Sequence, residues 1–133
     1  MTLHVELVVP EGEIWAGDAQ RVIAKTLDGD IGVLTGHTPV LGILAEGSVV
    51  RILPEDGRGA GGEMLAAIGG GFLSVADDRV SILARQAQLG TEVDQAGGQA
   101  ALDAALESAG PGGEETSDIR YFRALLRAAS DQA

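Results

Sequence analysis

The sequence predicts an all-β N-terminal unit, a sandwich or barrel of short strands, followed by a short C-terminal α-helical hairpin. Three observations carry this. Apolar and polar residues alternate with period two in six segments before residue 90. Gly, Asp or Pro stands at most boundaries of those segments. After about Leu89 the β-branched residues almost vanish, and Ala, Gln, Glu and Leu, which a helix accepts at little cost, take over.

Taken in order, Leu3, Val5, Leu7 and Val9 alternate with His4, Glu6 and Val8, the pattern of a half-buried strand over residues 2–9 that ends at Pro10. The pattern recurs over 19–27, 47–53, 64–68, 72–76 and 79–87. Asp28-Gly29-Asp30, Pro54-Glu55-Asp56-Gly57 and Ala76-Asp77-Asp78 read as turns, because Asp and Gly tolerate the backbone angles of tight reversals. Gly59 to Gly62 reads as a hairpin tip, and Gly69-Gly70-Gly71 as the kink of a strand. The run GDIGVLTGHTPVLGIL, residues 29–44, reads as a shaped loop that its glycines turn and Pro39 stiffens.

In the helical part, Thr91 is the expected cap of a first helix in which Gly97 and Gly98 each cost roughly 1 kcal/mol relative to Ala. Gly110-Pro111-Gly112-Gly113 must break it. Ser117 or Asp118 caps a second helix with an apolar stripe of Ile119, Phe122, Leu126 and Ala129. Arg120, Arg123 and Arg127 share a neighbouring face.

Composition narrows the chemistry. With 133 residues, 45% of them apolar, the chain can bury one modest core, and with 3% aromatics and 20 glycines that core must be aliphatic. A net charge of -11 opposes counterion release from a nucleic acid. The absence of cysteine removes disulfides, thiolate metal sites and cysteine nucleophiles. The stretch MTLHVELVVPEGE lacks the layout of a signal peptide, and no run reaches the roughly 18 to 20 apolar residues of a membrane span. The chain is therefore expected in the cytoplasm without direct membrane insertion, unless a partner holds it at a membrane.

The candidate sites are weak as chemistry. Gly32 to Thr38 is one residue short of a phosphate-binding loop, has no lysine, and runs into Pro39 where a helix should offer its amides. His37 as a base or metal ligand has only His4 for company, so a structural or surface role is the better reading. Ser48, Ser74 and Ser81 lie in strand patterns, with no nucleophile elbow. Asp77-Asp78 and Glu114-Glu115 read as surface charge.

Gly29, Asp30, Ile31, Gly32, Gly36, His37, Pro39 and Leu41, with Val40 in place of a usual Leu, form a long motif, and Gly70-Gly71-Phe72-Leu73, Val75 and Val80 to Ala84 form a second in the same order. Together these resemble the epsilon-subunit family of the F-type ATP synthase over nearly the whole chain. The resemblance implies an N-terminal β-sandwich of about ten short strands over 1–88 and a short helical hairpin over 89–133. It further implies a non-catalytic rotor subunit that grips the gamma subunit and rests on the c-ring, coupling proton flow to ATP synthesis in the alpha and beta headpiece. The complex would hold it peripherally at the cytoplasmic face of the plasma membrane. Asp30, Gly36, His37 and Pro39 are the implied rotor-contact residues, and the hairpin is the implied point of contact with alpha and beta.

Family members that bind ATP carry Ile/Leu-Asp-x-x-Arg-Ala in the first helix. Here Asp94 keeps the acid, Gly97 replaces the arginine, and Arg123 falls on an arginine of the second helix. Losing a charge-assisted contact worth roughly 1.5 to 3 kcal/mol predicts weak or absent ATP binding. A short, glycine-rich hairpin is likewise expected to be a poor brake on ATP hydrolysis. The alternative from another class is a free-standing cytoplasmic β-sandwich that binds some other protein, and a small hydrolase using His37 comes third.

Overall fold

The computed structural model describes residues 2–55, 63–110 and 116–132. The expected tip at Gly59 to Gly62 and the Glu114-Glu115 pair lie outside the described residues, as do residues 111–113 of the helix break.

β1 (Leu3–Val9) turns Leu3, Val5 and Leu7 fully inward and leaves His4 exposed, the alternation that a pleated strand dictates. A tight turn leads into β2 (Gly12–Thr26), which starts seven residues before the expected 19–27 strand. Gly12, Gly17 and Asp18 hide that start from propensity, but antiparallel pairing with β1 from Val9↔Gly12 to Leu3↔Ala19 imposes it. The Trp15 ring lies against Gly17, where a Cβ would come within 2.9 Å of it.

The expected loop 29–44 is mostly strand. β3 (Gly29–Leu34) pairs antiparallel with β2, and its Val33 is fully buried. Residues 35–39 make the only turn in the run, and β4 (Val40–Pro54) begins directly after Pro39. Cross-strand pairing overrides the glycines here, because Gly32 faces outward opposite Ile23 and needs no side chain to hold the ladder.

β5 (Met64–Ala76) joins two expected strands through Gly69-Gly70-Gly71. Gly70 and Gly71 have φ of +90° and +146°, so the glycines kink a single strand as anticipated. β6 (Arg79–Ala84) follows a two-residue turn in which Asp77 and Asp78 sit at φ +51° and +61°, and β7 (Ala87–Leu89) pairs back onto β5. The expected strand 79–87 is thus divided in two.

β1 pairs with β2 on one side and, in parallel, with β6 on the other, so the path β1-β6-β5-β4-β2 closes on itself while β3 stays at an edge. Among the described residues seven strands do the work of about ten, because β2, β4 and β5 are long, irregular at mid-length, and serve both layers. The core between the layers is aliphatic: Leu3, Leu7, Leu44, Ile52, Ile68, Leu73 and Ile82 are fully buried. Each contributes about 1.5 to 3 kcal/mol relative to exposure.

A 3-10 turn (Gly90–Glu92) precedes α1 (Gln95–Ala109), so Asp94, and not Thr91, occupies the N-cap position, without a side-chain capping bond. Gly98 is buried against Leu126, a close approach that gives one of the two helix glycines a packing role. Gly110 ends α1 at φ +73° with its N–H on the carbonyls of Leu106 and Glu107.

α2 (Ser117–Gln132) is capped one residue earlier than expected, by Thr116, whose Oγ1 accepts from the Ile119 N–H at 3.2 Å. Its sheet-facing side is Tyr121, Ala124, Leu125 and Ala128 on Leu65 and Ala67. Ile119 and Ala129 are buried as predicted, whereas Phe122 and Leu126 are only half-buried: Phe122 lies at the margin of the cluster that α2 forms with Leu65 and Ala67, and Leu126 lies against Gly98 of α1. Among the described residues no helix is long and apolar enough to cross a membrane.

Candidate functional site

Pleating decides which side chains a two-layer β fold offers to a partner. On the outer face of the layer opposite α2, register sets Ile43 beside Phe72, Phe72 beside Leu83 and Leu83 beside Val8. Leu27 joins through its N–H to the Ile43 carbonyl at 3.0 Å, and Leu41 lies two residues along β4 on the same face. Ile43, Phe72 and Leu83 are 53%, 50% and 48% exposed, and Leu27 and Leu41 more so. A row of large apolar side chains running across four strands is more than the scattered exposure of an ordinary surface.

Single residues carried a signal for this row that strand alternation obscured. Leu41-Gly42-Ile43-Leu44, Phe72-Leu73 and Ile82-Leu83-Ala84 place apolar residues at consecutive positions, the mark of strands covered on both faces. Only one of those faces is covered within this chain.

The expected contact residues divide into two places. Asp30 sits exposed near the β2–β3 turn, across the ladder from Lys25. Gly36, His37 and Pro39 lie beyond the other end of β3, which from Asp30 to Leu34 spans about 13 Å at roughly 3.3 Å per residue. The structure therefore does not bring Asp30 and His37 onto one rim. Gly36, at φ +84°, donates its N–H to Asp78 Oδ1 at 2.7 Å, and the His37 N–H reaches the Leu34 carbonyl at 3.1 Å. His37 Nδ1 donates to the Thr38 carbonyl at 2.6 Å, which fixes the tautomer and occupies that nitrogen. Asp78, read from sequence as surface charge, also gives its backbone carbonyl to the His4 N–H at 2.8 Å, tying three segments together.

No catalytic arrangement forms around these groups. Among the described residues no three His, Asp or Glu side chains are placed to hold a metal. Ser48, buried, donates its hydroxyl to the Ala45 carbonyl at 2.7 Å, and Ser74 opposes Ser81 across a ladder.

A second polar centre lies where β4 and β5 bend. Glu46 Oε1 accepts from Arg85 at 2.7 Å, and Oε2 from Arg120 at 3.1 Å and from the Ser117 hydroxyl. Those bonds, Ser117 first and then the two guanidinium groups, draw the carboxyl from an ordinary 4.5 down to about 2. Next to it, Gly47 (φ +69°) lets α2 approach the strand so closely that a Cβ there would overlap the Arg120 backbone. A recess of about 560 Å³, lined by Leu27, Ile43 and Phe72 among others, runs from the apolar row to Arg85 and Arg120. Asp94 and Arg123, the candidates for an ATP site, lie on α1's cap and α2's exposed side and line neither this recess nor the more polar one beside Asp30 and Arg127.

Residues 2–90 match the family described as ATP synthase, Delta/Epsilon chain, beta-sandwich domain. The ATP synthase epsilon chain of Thermobifida fusca (strain YX) is 50% identical over 128 residues, covering 96% of this chain and 91% of that one. That of Streptomyces griseus is 42% identical over 125 residues, 94% of this chain and 97% of that one. Among solved structures, a chain of the Euglena gracilis mitochondrial ATP synthase, from its OSCP/F1/c-ring assembly, aligns with a TM-score of 0.73 at 22% identity. That alignment covers 97% of this chain and 81% of the other. A chain from the central stalk/c-ring of the Tetrahymena thermophila mitochondrial enzyme aligns at 0.57 and 18% identity over 95% and 97%. The two alignments establish likeness of fold.

Proposed function

Because the chain belongs to the ATP synthase delta/epsilon chain family, we propose that it is the non-catalytic epsilon subunit of an F-type ATP synthase, a rotor element joining the gamma subunit to the c-ring. In this role it couples proton flow to ATP synthesis and performs no bond chemistry of its own. The observation that carries the reading is the apolar row of Leu27, Ile43, Phe72 and Leu83, a surface of the kind that stays covered in a permanent assembly. Gamma is the partner assigned to it.

The exposed β2–β3 turn with Asp30 is assigned to the polar loops of the c-ring, and Gly36, His37 and Pro39, at the far end of β3, to a separate contact. Asp78 holds that second turn in shape through Gly36. The division into a sandwich over 1–88 and a hairpin over 89–133 belongs to the same reading, as do alpha and beta contacts made through the hairpin and a place at the cytoplasmic face of the plasma membrane. Co-purification tests it: the chain should elute in stoichiometric amount with a membrane-extracted rotary ATPase and restore proton-coupled synthesis to a complex depleted of it. An intact synthase that lacks the chain and loses no coupling would refute the assignment.

A further inference from the structure

Apolar surface and fixed charge meet at one end of the bare face. The recess of about 560 Å³ has Leu27, Ile43 and Phe72 along its apolar side and Arg85 and Arg120 at its other end. A space of that size suits a bound group with an apolar body and a polar tip. Glu46 is the one acid among the lining residues, so they carry a surplus of one positive charge in a chain whose net charge is -11.

The backbone puts Arg85 in this place. The kink of β5 makes the room: Gly70 sits at φ +90°, and a Cβ there would come within 2.5 Å of Arg85 Nη2, so glycine is what lets the guanidinium lie across the strand. The Arg85 N–H donates to the Gly70 carbonyl at 3.0 Å, which ties the foot of the side chain to the same kink. Nη2 donates to Glu46 Oε1 at 2.7 Å, whereas Nη1 has no acceptor among the described residues and the side chain is 67% exposed. A guanidinium held on one edge and open on another is preorganised for a second carboxylate.

Whatever covers Ile43 and Phe72 also takes water away from this guanidinium. Burying a charge is costly unless it is paired, and Glu46 is already shared with Arg120. We propose, on the reading that gamma is seated on the apolar row, that gamma places a carboxylate on Arg85 beside the apolar side chains it lays on Ile43 and Phe72. A second copy of this chain is a poor cover, because two chains of net charge -11 repel one another.

Titration of gamma against the full-length chain and its variants tests this, with circular dichroism showing that each is folded. At low salt Arg85→Gln should bind gamma about tenfold more weakly than the parent, and Arg85→Lys, which keeps the charge without the fork, should lose about threefold. Raising the salt concentration should weaken the parent more than Arg85→Gln and narrow the gap between them. Ser117→Ala loosens Glu46 from outside the recess and should bind as the parent does. Equal affinity of the parent and Arg85→Gln would overturn the proposal and leave the seat of gamma standing, whereas no binding of gamma to the parent would overturn both. An equal loss in Ser117→Ala and Arg85→Gln would also overturn it, since the effect would then run through Glu46. So would a parent chain that self-associates in sedimentation and ceases to in Arg85→Gln, which would give the recess to a second copy.

Discussion

The turn that carries Gly36 and His37 depends on a carboxylate 42 residues away in sequence, Asp78, at 2.7 Å from the Gly36 N–H. Asp78→Ala removes that bond and places alanine at φ +61°, so it should cost about 1 to 2 kcal/mol in denaturant unfolding; Asp78→Asn, which keeps an acceptor and tolerates the angle, should cost less than half as much. Glu46 gives a prediction of a different kind. Its folded pKa of about 2 lies below the ordinary 4.5, so its contribution to the α2 contact is complete above about pH 4.5 and is lost as pH falls towards 2. Arg85 and Arg120 are the guanidinium groups that face it, and Asp118, which lines the same small recess, is the other carboxyl beside it. NMR resonances of Tyr121, buried where α2 meets the sheet, should therefore stay constant from pH 7 to 5 and shift below, with a smaller shift in Glu46→Gln. A transition centred near pH 6 would contradict this account.

At the level of elements, what could be read from sequence was whatever alternates cleanly or changes composition sharply. β1, the kinked β5 and the passage to helices after Leu89 are of that kind, with Leu3, Val5 and Leu7 or the loss of β-branched residues as direct signals. β3 and the first half of β2 were hidden because Gly12, Gly17, Gly29 and Gly32 speak for loops, and only pairing with distant strands overrules them. The buried face of α2 is wider than a single apolar stripe for a related reason: the helix has the sheet on one flank, which also takes Tyr121 and Leu125, and α1 on another, which takes Leu126. Two substitutions probe these elements. Thr116→Ala removes the α2 cap and should lower the stability of the helical pair by about 1 kcal/mol. Gly71→Ala should be far worse, because its Cβ would run into the Leu83 carbonyl at φ +146°, and poor soluble expression or a fall in thermal midpoint of several degrees is expected. A neutral Gly71→Ala would mean that the β5–β6 ladder yields locally.

Seen whole, the molecule has one sheet face covered by its own helices and the opposite one bare, and an aliphatic core that supports both. The bare face was the part of the site least legible in the sequence, since strands coated on both sides look the same whether the second cover is intramolecular or a partner. Gly97 stands where the resemblance implies an arginine for ATP, and calorimetry of the isolated chain with MgATP is expected to give no saturable binding in the micromolar range; a micromolar Kd would contradict that. The central claim is that the bare face is the seat of gamma. Its most direct test is a binding titration of gamma against the parent chain and the Phe72→Asp variant, with circular dichroism showing that both are folded. The account predicts at least about a 30-fold loss of affinity in the variant, the effect of removing one central apolar anchor. Equal affinity of the two folded proteins for gamma would contradict it.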